Sequence, residues 1–231
     1  MLLSVIIPAY NEEKTIAFLI QTIQSQHLPD SITKEIIVVN DGSIDNTSKI
    51  LAQFSRDPHI TVLHQNMNLG KTSAILAGIA NSKGDIILIQ DADFEYHPKY
   101  YPALIEPILK DETLVVYGSR FKGNIKEMTL INKLANIFSN LTFNLCFFAQ
   151  LTDINTGFKV FKKSVLKNIQ ITSTHFTFET EITAKLTKQG YRIKEIPIDY
   201  IARSNKEGKK INWSKALLMY WGIIKYRFNI T

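Results

Sequence analysis

Two aspartates stand out as residues that could do chemistry, because only one position separates them in the segment Asp91-Ala92-Asp93. The segment before them, Asp85–Gln90, has the apolar run of a strand buried in a core. Where such a strand gives way to a loop, two carboxylates can approach one hard cation. Mg²⁺ and Mn²⁺ prefer such oxygen ligands, and they often bridge the phosphates of a substrate. An isolated Asp-x-Asp is more often a solvated turn, so the interpretation depends on its neighbours.

Two further polar clusters follow strand-like segments, namely Pro8-Ala-Tyr-Asn-Glu12 and Asn40-Asp-Gly-Ser43. Tyr10 is able to stack on a base, and Glu12 or Asp41 to accept hydrogen bonds from a base or a ribose. Each cluster also admits a structural explanation, because Asn and Asp cap helices and Gly permits tight turns. Neither cluster alone decides between the two interpretations.

The elements that must position these clusters alternate along the first half of the chain. Five segments rich in Val and Ile are predicted as buried strands: Leu2–Pro8, Glu35–Asn40, Thr61–His64, Asp85–Gln90 and Leu114–Gly118. Helical patterns are centred on Glu12–Ser25, Asn46–Phe54, Lys71–Ala80 and Lys99–Leu109. This alternation predicts an α/β fold with a mostly parallel central sheet and helices on both faces. Ligands bind beyond the carboxyl ends of such strands, so the three clusters are expected at one edge.

The second half has a different pattern. A helix is predicted over Leu130–Phe148, with one apolar stripe and an opposite stripe of asparagines from Asn132 to Asn144. The asparagines are either the polar face of a core helix or the lining of an acceptor groove, and some of the phenylalanines in this helix are able to face lipid. A second helix is predicted at Phe178–Lys188, a strand at Glu195–Tyr200 and a last helix within Asn212–Arg227.

Composition and charge limit the class of protein. The chain has 231 residues, 45% of them hydrophobic, a net charge of +6 and one cysteine, which fits a single packed domain in a reducing, cytoplasmic setting. The segment 203–227 holds seven basic residues and one acidic residue, an excess equal to the whole net charge. A basic tail on a neutral body predicts an anionic partner, such as lipid head groups, a pyrophosphate or nucleic acid. No signal peptide and no membrane span are predicted.

Taken in order, the motifs resemble family 2 glycosyltransferases. These motifs are Ser4-Val-Ile-Ile-Pro-Ala-Tyr-Asn-Glu-Glu13, Val38-Val-Asn-Asp-Gly-Ser43, Asn68-Leu-Gly-Lys71 and Asp91-Ala-Asp93. Later motifs resemble the polyprenyl-phosphate branch, the dolichol-phosphate mannosyltransferase-like enzymes, in a bacterial-type subgroup: Gly118-Ser-Arg-Phe121, Thr152-Asp-Ile-Asn-Thr-Gly-Phe-Lys159, Phe178-Glu-Thr-Glu181 and Glu207-Gly-Lys-Lys-Ile211. The match spans almost the whole chain. It implies a GT-A fold, with a Rossmann-like sheet, in one catalytic domain over 1–231.

The resemblance also implies roles for individual residues. In the donor half, 1–120, the nucleotide sugar would be held by Pro8, Tyr10, Glu12, Val39, Asp41, Lys71, Asp91, Ala92, Asp93 and Glu95. Asp91 and Asp93 would bind Mg²⁺ or Mn²⁺. In the acceptor half, 121–231, a basic loop over 203–210 would clamp the pyrophosphate through Arg203, Lys209 and Lys210. The residues implied to be catalytic, from either half, are Asp93, Arg120, Lys133 and Glu181.

The implied reaction is inverting transfer of a hexose from a GDP- or UDP-sugar to a polyprenyl phosphate. The implied setting is the inner face of the cell membrane, with peripheral attachment through the last helix or the 130–148 region, no nucleic acid, and possibly a separate membrane protein. An acceptor phosphate is already largely anionic at neutral pH and needs no strong base. A hydroxyl acceptor of a saccharide or protein would need one, and Glu179 or Glu181 would supply it. A non-catalytic nucleotide-sugar-binding subunit and a nucleotidyltransferase are weaker alternatives.

Overall fold

The structure is a computed structural model that describes residues 1–173, 178–202 and 213–228. Its strands are β1 (Leu2–Ala9), β2 (Thr33–Asn40), β3 (Ile60–His64), β4 (Ile86–Ile89), β5 (Val115–Ser119), β6 (Ile125–Lys126), β7 (Lys159–Lys162), β8 (Ile193–Pro197) and β9 (Tyr200–Ile201). Its α-helices are α1 (Ile16–Ser25), α2 (Thr47–Leu51), α3 (Lys71–Asn81), α4 (Tyr101–Leu109), α5 (Leu130–Phe147), α6 (Lys163–Leu166), α7 (Phe178–Lys188) and α8 (Trp213–Phe228).

Seven strands form one central sheet in the order β3-β2-β1-β4-β7-β5-β8. β1 pairs in parallel with β2 and β4, β2 with β3, and β5 with β8. β7 runs antiparallel between β4 and β5. β6 and β9 form a separate two-stranded sheet. The predicted α/β class with a mostly parallel sheet is confirmed.

The apolar runs form strands because both faces of the sheet are covered. In β1, Val5 and Ile7 belong to the core that includes helices α1 and α4. Ile6, between them, packs on the other face with Ala74 of α3. Alternate side chains of a strand point to opposite faces, so a strand covered on both sides is apolar at nearly every position.

Several predicted boundaries differ from the observed ones. The segment predicted as a helix over 46–54 divides into α2 and a short 3-10 turn, Ala52–Phe54. The strand predicted at Glu195–Tyr200 is instead β8, which ends at Pro197, and β9, which pairs in the other sheet. Proline has no backbone N–H to continue the ladder, which fits this interruption. β7 was not predicted.

Helix α5 lies with its polar stripe inward. Asn140 is buried, its Oδ1 accepting from the Ile154 amide at 3.0 Å, and Asn144 exchanges hydrogen bonds with both backbone groups of Leu151. Phe143 is buried as expected, whereas Phe148 is 87% exposed. The asparagine stripe therefore anchors the helix to the loop that follows it, and most of the apolar stripe faces outward.

Candidate active site

A cleft of about 420 Å³ opens at the carboxyl ends of β1, β2 and β4. Residues from all three polar clusters contribute to it, together with the start of α3. The lining residues are Pro8, Ala9, Tyr10, Glu12, Asp41, Asn68, Gly70, Lys71, Ala74, Asp91, Ala92 and Asp93. Parallel strands bring these distant segments to one edge of the sheet, as the sequence predicted.

Asp41 fixes the loop that leads into α3. Its carboxylate accepts hydrogen bonds from the amides of Leu69, at 2.7 Å, and Gly70, at 2.9 Å. Gly42 has a φ of 67°, and a Cβ there would lie 2.4 Å from the carbonyl carbon of Met67. Only glycine fits that approach. The Asn-Asp-Gly-Ser cluster therefore shapes one wall of the cleft, and Asp41 also lines it.

Lys71 joins the two sides of the site. Its Nζ lies 2.7 Å from Asp91 Oδ1 and 2.8 Å from Glu179 Oε1, at the start of α7. Burial lowers the pKa of Lys71, but the charges of Asp91 and Glu179 outweigh burial and raise it. The lysine is therefore cationic at all physiological pH values, and it neutralises part of the carboxylate charge at the cleft.

The loop before β7 approaches Asp91 closely at Gly157. A Cβ at this position would lie 2.2 Å from Asp91 Oδ2 and 3.0 Å from the ring of Tyr96. The Gly157 amide donates to the Tyr96 hydroxyl at 3.1 Å. Glycine at this position is what allows the second half of the chain to pack against the aspartate.

Asp93 stands where the chain turns sharply. Phe94, which follows it, has a φ of 60°, a left-handed conformation that is unusual for a bulky residue. The Glu95 amide donates to Asp93 Oδ1 at 3.2 Å. Strained backbone of this kind clusters at functional sites, which supports a functional interpretation of the segment.

The chemistry of Asp91 and Asp93 fits the divalent metal that the sequence predicted. Both carboxylates line one cleft and offer hard oxygen ligands. Within the described ranges, no group of three or more His, Cys, Asp or Glu residues is arranged to hold a metal ion by itself. Mg²⁺ commonly uses one or two carboxylates and completes its shell with water and substrate phosphates. The donor set therefore suits a cation that binds together with a diphosphate.

Arg120 is held in a buried ion pair, although the sequence placed it on the sugar or the acceptor phosphate. Its Nε and Nη2 each lie 2.7 Å from a carboxylate oxygen of Asp153. Nη2 also donates to Asn136 of α5 at 3.3 Å, and the guanidinium lies 5.1 Å from the ring centre of Tyr200. Two parallel bonds to one carboxylate fix a guanidinium firmly. A substrate contact by Arg120 stays a prediction, and the pair with Asp153 is a structural role that the sequence did not reveal.

Glu181 has a structural environment, which argues against its predicted catalytic role. It is fully buried, pairs with Lys185, and accepts hydrogen bonds from Thr172 and from the Ser173 amide. Burial raises the pKa of this carboxyl, but the hydrogen bonds, first that of Lys185, outweigh burial and lower the pKa to about 2. A general base works best with a pKa near the operating pH. Of the two candidate bases, Glu179 is the one directed at the cleft network.

The other predicted site residues divide into three groups. Pro8, Tyr10, Glu12 and Ala92 line the cleft, and Tyr10 is 43% exposed there. The side chain of Val39 lies in the core, so only its backbone could meet a ligand, and Glu95 accepts a hydrogen bond from Tyr200. Lys133 is exposed on α5. Arg203, Lys209 and Lys210 lie outside the described residues.

Lys159, the first residue of β7, is a buried cation that sequence reasoning did not single out as a site residue. Its Nζ donates to the Ile154 carbonyl at 2.9 Å and lies 3.8 Å from the ring centre of Tyr117. Burial lowers its pKa from 10.5 to about 7, although Glu179 and Asp153 oppose that effect. The lysine ties the loop that carries Asp153 to the sheet.

Comparisons with known proteins agree with this fold and cleft. The model of a family described as glycosyl transferase family 2 matches residues 4–170. Dolichyl-phosphate beta-glucosyltransferase ALG5A of Trichomonas vaginalis is 29% identical over 238 residues, covering 96% of this chain and 72% of that protein. The dolichyl-phosphate beta-glucosyltransferase ALG5D of the same organism is 28% identical over 246 residues, covering 98% of this chain and 74% of that protein.

Solved structures establish the fold. Glucosyl-3-phosphoglycerate synthase from Mycobacterium tuberculosis, in complex with UDP, matches with a TM-score of 0.77 at 19% identity, covering 98% of this chain and 80% of that chain. The same enzyme in complex with Mn²⁺, UDP and glucosyl-3-phosphoglycerate matches with a TM-score of 0.74 at 19% identity, covering 99% and 80%. The fold is therefore of the GT-A type. The chain belongs to glycosyl transferase family 2 and is a glycosyltransferase.

Proposed function

We propose that this enzyme transfers a hexose, with inversion, from a nucleotide sugar of the UDP-glucose or GDP-mannose type to a polyprenyl or dolichyl phosphate. The relatives named dolichyl-phosphate beta-glucosyltransferases support a lipid-phosphate acceptor and make glucose the first sugar to test. The observation that carries the proposal is the engagement of both carboxylates that could serve as a general base. That engagement favours an acceptor that is already ionised.

A hydroxyl acceptor must lose a proton as it attacks, whereas a phosphate monoester is largely ionised at neutral pH. Glu181 is ionised and bonded on all sides to its own helix and the 172–173 segment. Glu179 is paired with the Lys71 ammonium at 2.8 Å, so proton uptake by Glu179 would cost that pair. Both observations weaken the competing function, which is transfer to a saccharide or protein hydroxyl with Glu179 or Glu181 as base.

In the proposed reaction, an oxygen of the acceptor phosphate forms a bond to the anomeric carbon of the hexose. The bond from that carbon to the donor diphosphate breaks, and the diphosphate leaves with the electron pair. Tyr10 is placed to stack on the base, and Asp41 to receive hydrogen bonds from the nucleoside. Lys71 brings a fixed positive charge to the cleft, where the leaving group develops negative charge.

Asp91 and Asp93 are the residues that would hold Mg²⁺ or Mn²⁺. The bound cation would supply charge neutralisation on the leaving diphosphate. Lys71 already touches Asp91, so binding of the donor and the cation should loosen the contact between them. Arg203, Lys209 and Lys210 remain proposed partners of the pyrophosphate from sequence alone.

A water-soluble donor and a lipid acceptor meet only at a membrane surface. We therefore place the reaction at the cytoplasmic face of the cell membrane, with peripheral attachment and room for a separate membrane protein that receives the product. In the parts of the chain that the structure describes, no helix is long and apolar enough to cross a bilayer.

The test is a transfer assay with purified protein and Mn²⁺ or Mg²⁺. UDP-glucose, GDP-mannose and UDP-N-acetyl sugars are supplied in turn, with a polyprenyl phosphate, with the matching polyprenol, or with neither. We expect transfer only to the phosphate. Equal transfer to a saccharide hydroxyl without lipid phosphate would refute the proposal.

Two variants separate the assigned roles. Asp93→Ala should abolish metal-dependent transfer while the protein stays folded, and full activity of this variant would refute the metal assignment. Glu179→Gln keeps the shape of the side chain and removes its charge. If the acceptor is a phosphate, the variant should retain a pH profile without a new basic limb. A hydroxyl acceptor with Glu179 as base instead predicts a rate that no longer falls at low pH, from a much lower plateau.

A further inference from the structure

The outward face of α5 is the largest group of exposed apolar side chains in the described parts of the chain. Twenty large hydrophobic residues are exposed there, and eleven of them lie on α5, its C-cap and the adjoining α8. On α5 and its cap they are Leu130, Ile131, Leu134, Ile137, Phe138, Leu141, Leu145 and Phe148, and on α8 they are Trp221, Ile224 and Phe228. We call this set the α5–α8 face. Monomeric soluble domains rarely leave such a concentration uncovered.

The two helices form one continuous surface. The Tyr220 hydroxyl donates to the Ala135 carbonyl at 3.0 Å, and the Phe138 and Tyr220 rings pack edge to face with centres 5.3 Å apart. At the other end, the Arg227 guanidinium lies 6.0 Å from the ring centre of Phe148. The exposed apolar residues of both helices therefore belong to one patch with aromatic and basic residues around it.

We infer that the α5–α8 face is the surface by which this protein docks on an anionic lipid bilayer, with α5 lying in the plane of the membrane. The inference rests on the proposed lipid-phosphate acceptor for its purpose. Its physical basis is independent of that acceptor, because it comes from three properties of the face itself.

The first property is the satisfaction of polar groups. Asn136, Asn140 and Asn144 all turn inward to protein partners. Thr142 donates its hydroxyl to the Phe138 carbonyl of its own helix at 2.9 Å. A polar group left without a partner in an apolar medium costs several kcal/mol. The helix is thus arranged so that its amide side chains avoid the surface that would enter lipid.

The second property is charge. The sequence has no aspartate or glutamate from Met128 to Thr152, and none from Gly208 to Thr231. The charged residues in these two segments are all lysines and arginines, including the exposed Lys133. An interfacial helix combines an apolar face with flanking cations that attract anionic lipids. Two copies of this chain meeting on the same face would instead bring cations against cations, because a two-fold interface is self-complementary.

The third property is the position of the face relative to the site. Asn136, on the inward side of α5, contacts Arg120 at 3.3 Å. An α-helix with its side chains is about 10 Å across, so a docked α5 holds the bilayer about one helix diameter from the Arg120 region. An acceptor could then present its phosphate to the enzyme while its chain remains in the bilayer.

The test uses the full chain and vesicles that contain neither donor nor acceptor phosphate, so that its outcome is independent of the proposed reaction. Co-sedimentation is measured with phosphatidylcholine vesicles that contain phosphatidylglycerol, and with phosphatidylcholine alone. We expect binding to the anionic vesicles that weakens with salt. Trp221 fluorescence should be quenched by brominated acyl chains, and the variant Trp221→Phe should lose that quenching.

A matched pair of variants locates the face. Phe138→Glu and Phe18→Glu each replace an exposed phenylalanine that contacts one other aromatic ring, at 58% and 60% exposure. Phe138→Glu should weaken vesicle binding by at least roughly tenfold, as expected for withdrawing a large apolar side chain from lipid. Phe18→Glu, on α1, should leave vesicle binding unchanged. Thermal unfolding checks that both variants fold.

Two results would overturn the inference: equal vesicle binding by the two variants, or no binding by the wild type. Size-exclusion chromatography with light scattering adds a third. A dimer that Phe138→Glu converts to a monomer, without vesicle binding, would assign the face to a second copy of the chain. Transfer to a short, water-soluble prenyl phosphate in the absence of vesicle binding would leave the proposed function standing and refute this inference alone.

Discussion

Lys159 allows a quantitative test of how burial sets the electrostatics beneath the cleft. The pKa of this lysine is lowered from 10.5 to about 7 by burial. Between these two pH values the unfolded chain keeps the proton that the folded chain has lost. The free energy of unfolding therefore rises with pH in this window, by up to about 1.4 kcal/mol per pH unit. From about pH 7 to about pH 9 the contribution of this one residue is about 2 kcal/mol.

The perturbation is Lys159→Met, which keeps the length of the apolar stem and removes the amine. The variant loses the hydrogen bond to the Ile154 carbonyl, at a cost of about 1–3 kcal/mol that does not depend on pH. It also loses the penalty of burying a charge, which is largest at low pH. We expect the variant to be at least as stable as the wild type near about pH 6 and less stable near about pH 9.

The assay is urea unfolding of both proteins from about pH 6 to about pH 9.5, with the difference in unfolding free energy plotted against pH. Taking the difference cancels other groups that titrate in this range. Lys162→Met is the control, because Lys162 lies on the same strand but is partly exposed and pairs with Asp111 at 3.3 Å. A difference for Lys159→Met that is flat across this range would refute the reasoning.

Three other predictions address the framework of the site. Gly157→Ala should weaken Mn²⁺-dependent donor binding with little loss of fold, since the new Cβ would lie 2.2 Å from Asp91 Oδ2 and must displace it; calorimetric titration with UDP and Mn²⁺ checks this, and unchanged affinity would contradict it. Asp153→Asn should lower the free energy of unfolding by about 3–5 kcal/mol, because it leaves the buried Arg120 charge without its partner. Glu181 should contribute about 3 kcal/mol of stability above pH 4.5 that is lost as the pH falls towards about 2, so Glu181→Gln should flatten acid unfolding there; a variant with unaltered acid unfolding would show that the carboxylate is not so bonded.

The first half of the fold was predictable because its strands are buried on both faces. The run at Ile86–Ile89 has no polar position, and such runs are typical of central parallel strands. Parallel strands then bring their carboxyl ends to one edge, which gave the cleft between Tyr10, Asp41 and Asp91. β7 escaped prediction because it has four residues and begins and ends with lysine. Nothing in the sequence indicates that Lys159 is buried.

Two features could not be predicted because their causes lie far away in the chain. A helical period divides α5 into two faces without saying which is inside. The asparagine face is the inner one because the backbone of Leu151 and Ile154 needs hydrogen-bond partners that only polar side chains provide. Likewise, the pair of Arg120 with Asp153 depends on a contact between segments that are distant in sequence.

The antiparallel strand β7 has a consequence for how the chain folds as it is synthesised. Ile89 pairs with Lys159, and on its other side β7 pairs with β5, so the middle of the sheet stays open until residue 162 has left the ribosome. Until then β4 presents an unpaired apolar edge, which is the kind of surface that recruits other chains. Contacts so distant in sequence form late. The nascent amino-terminal half is thus a natural client for chaperones, and the cleft and the α5–α8 face are acquired in a single cooperative step.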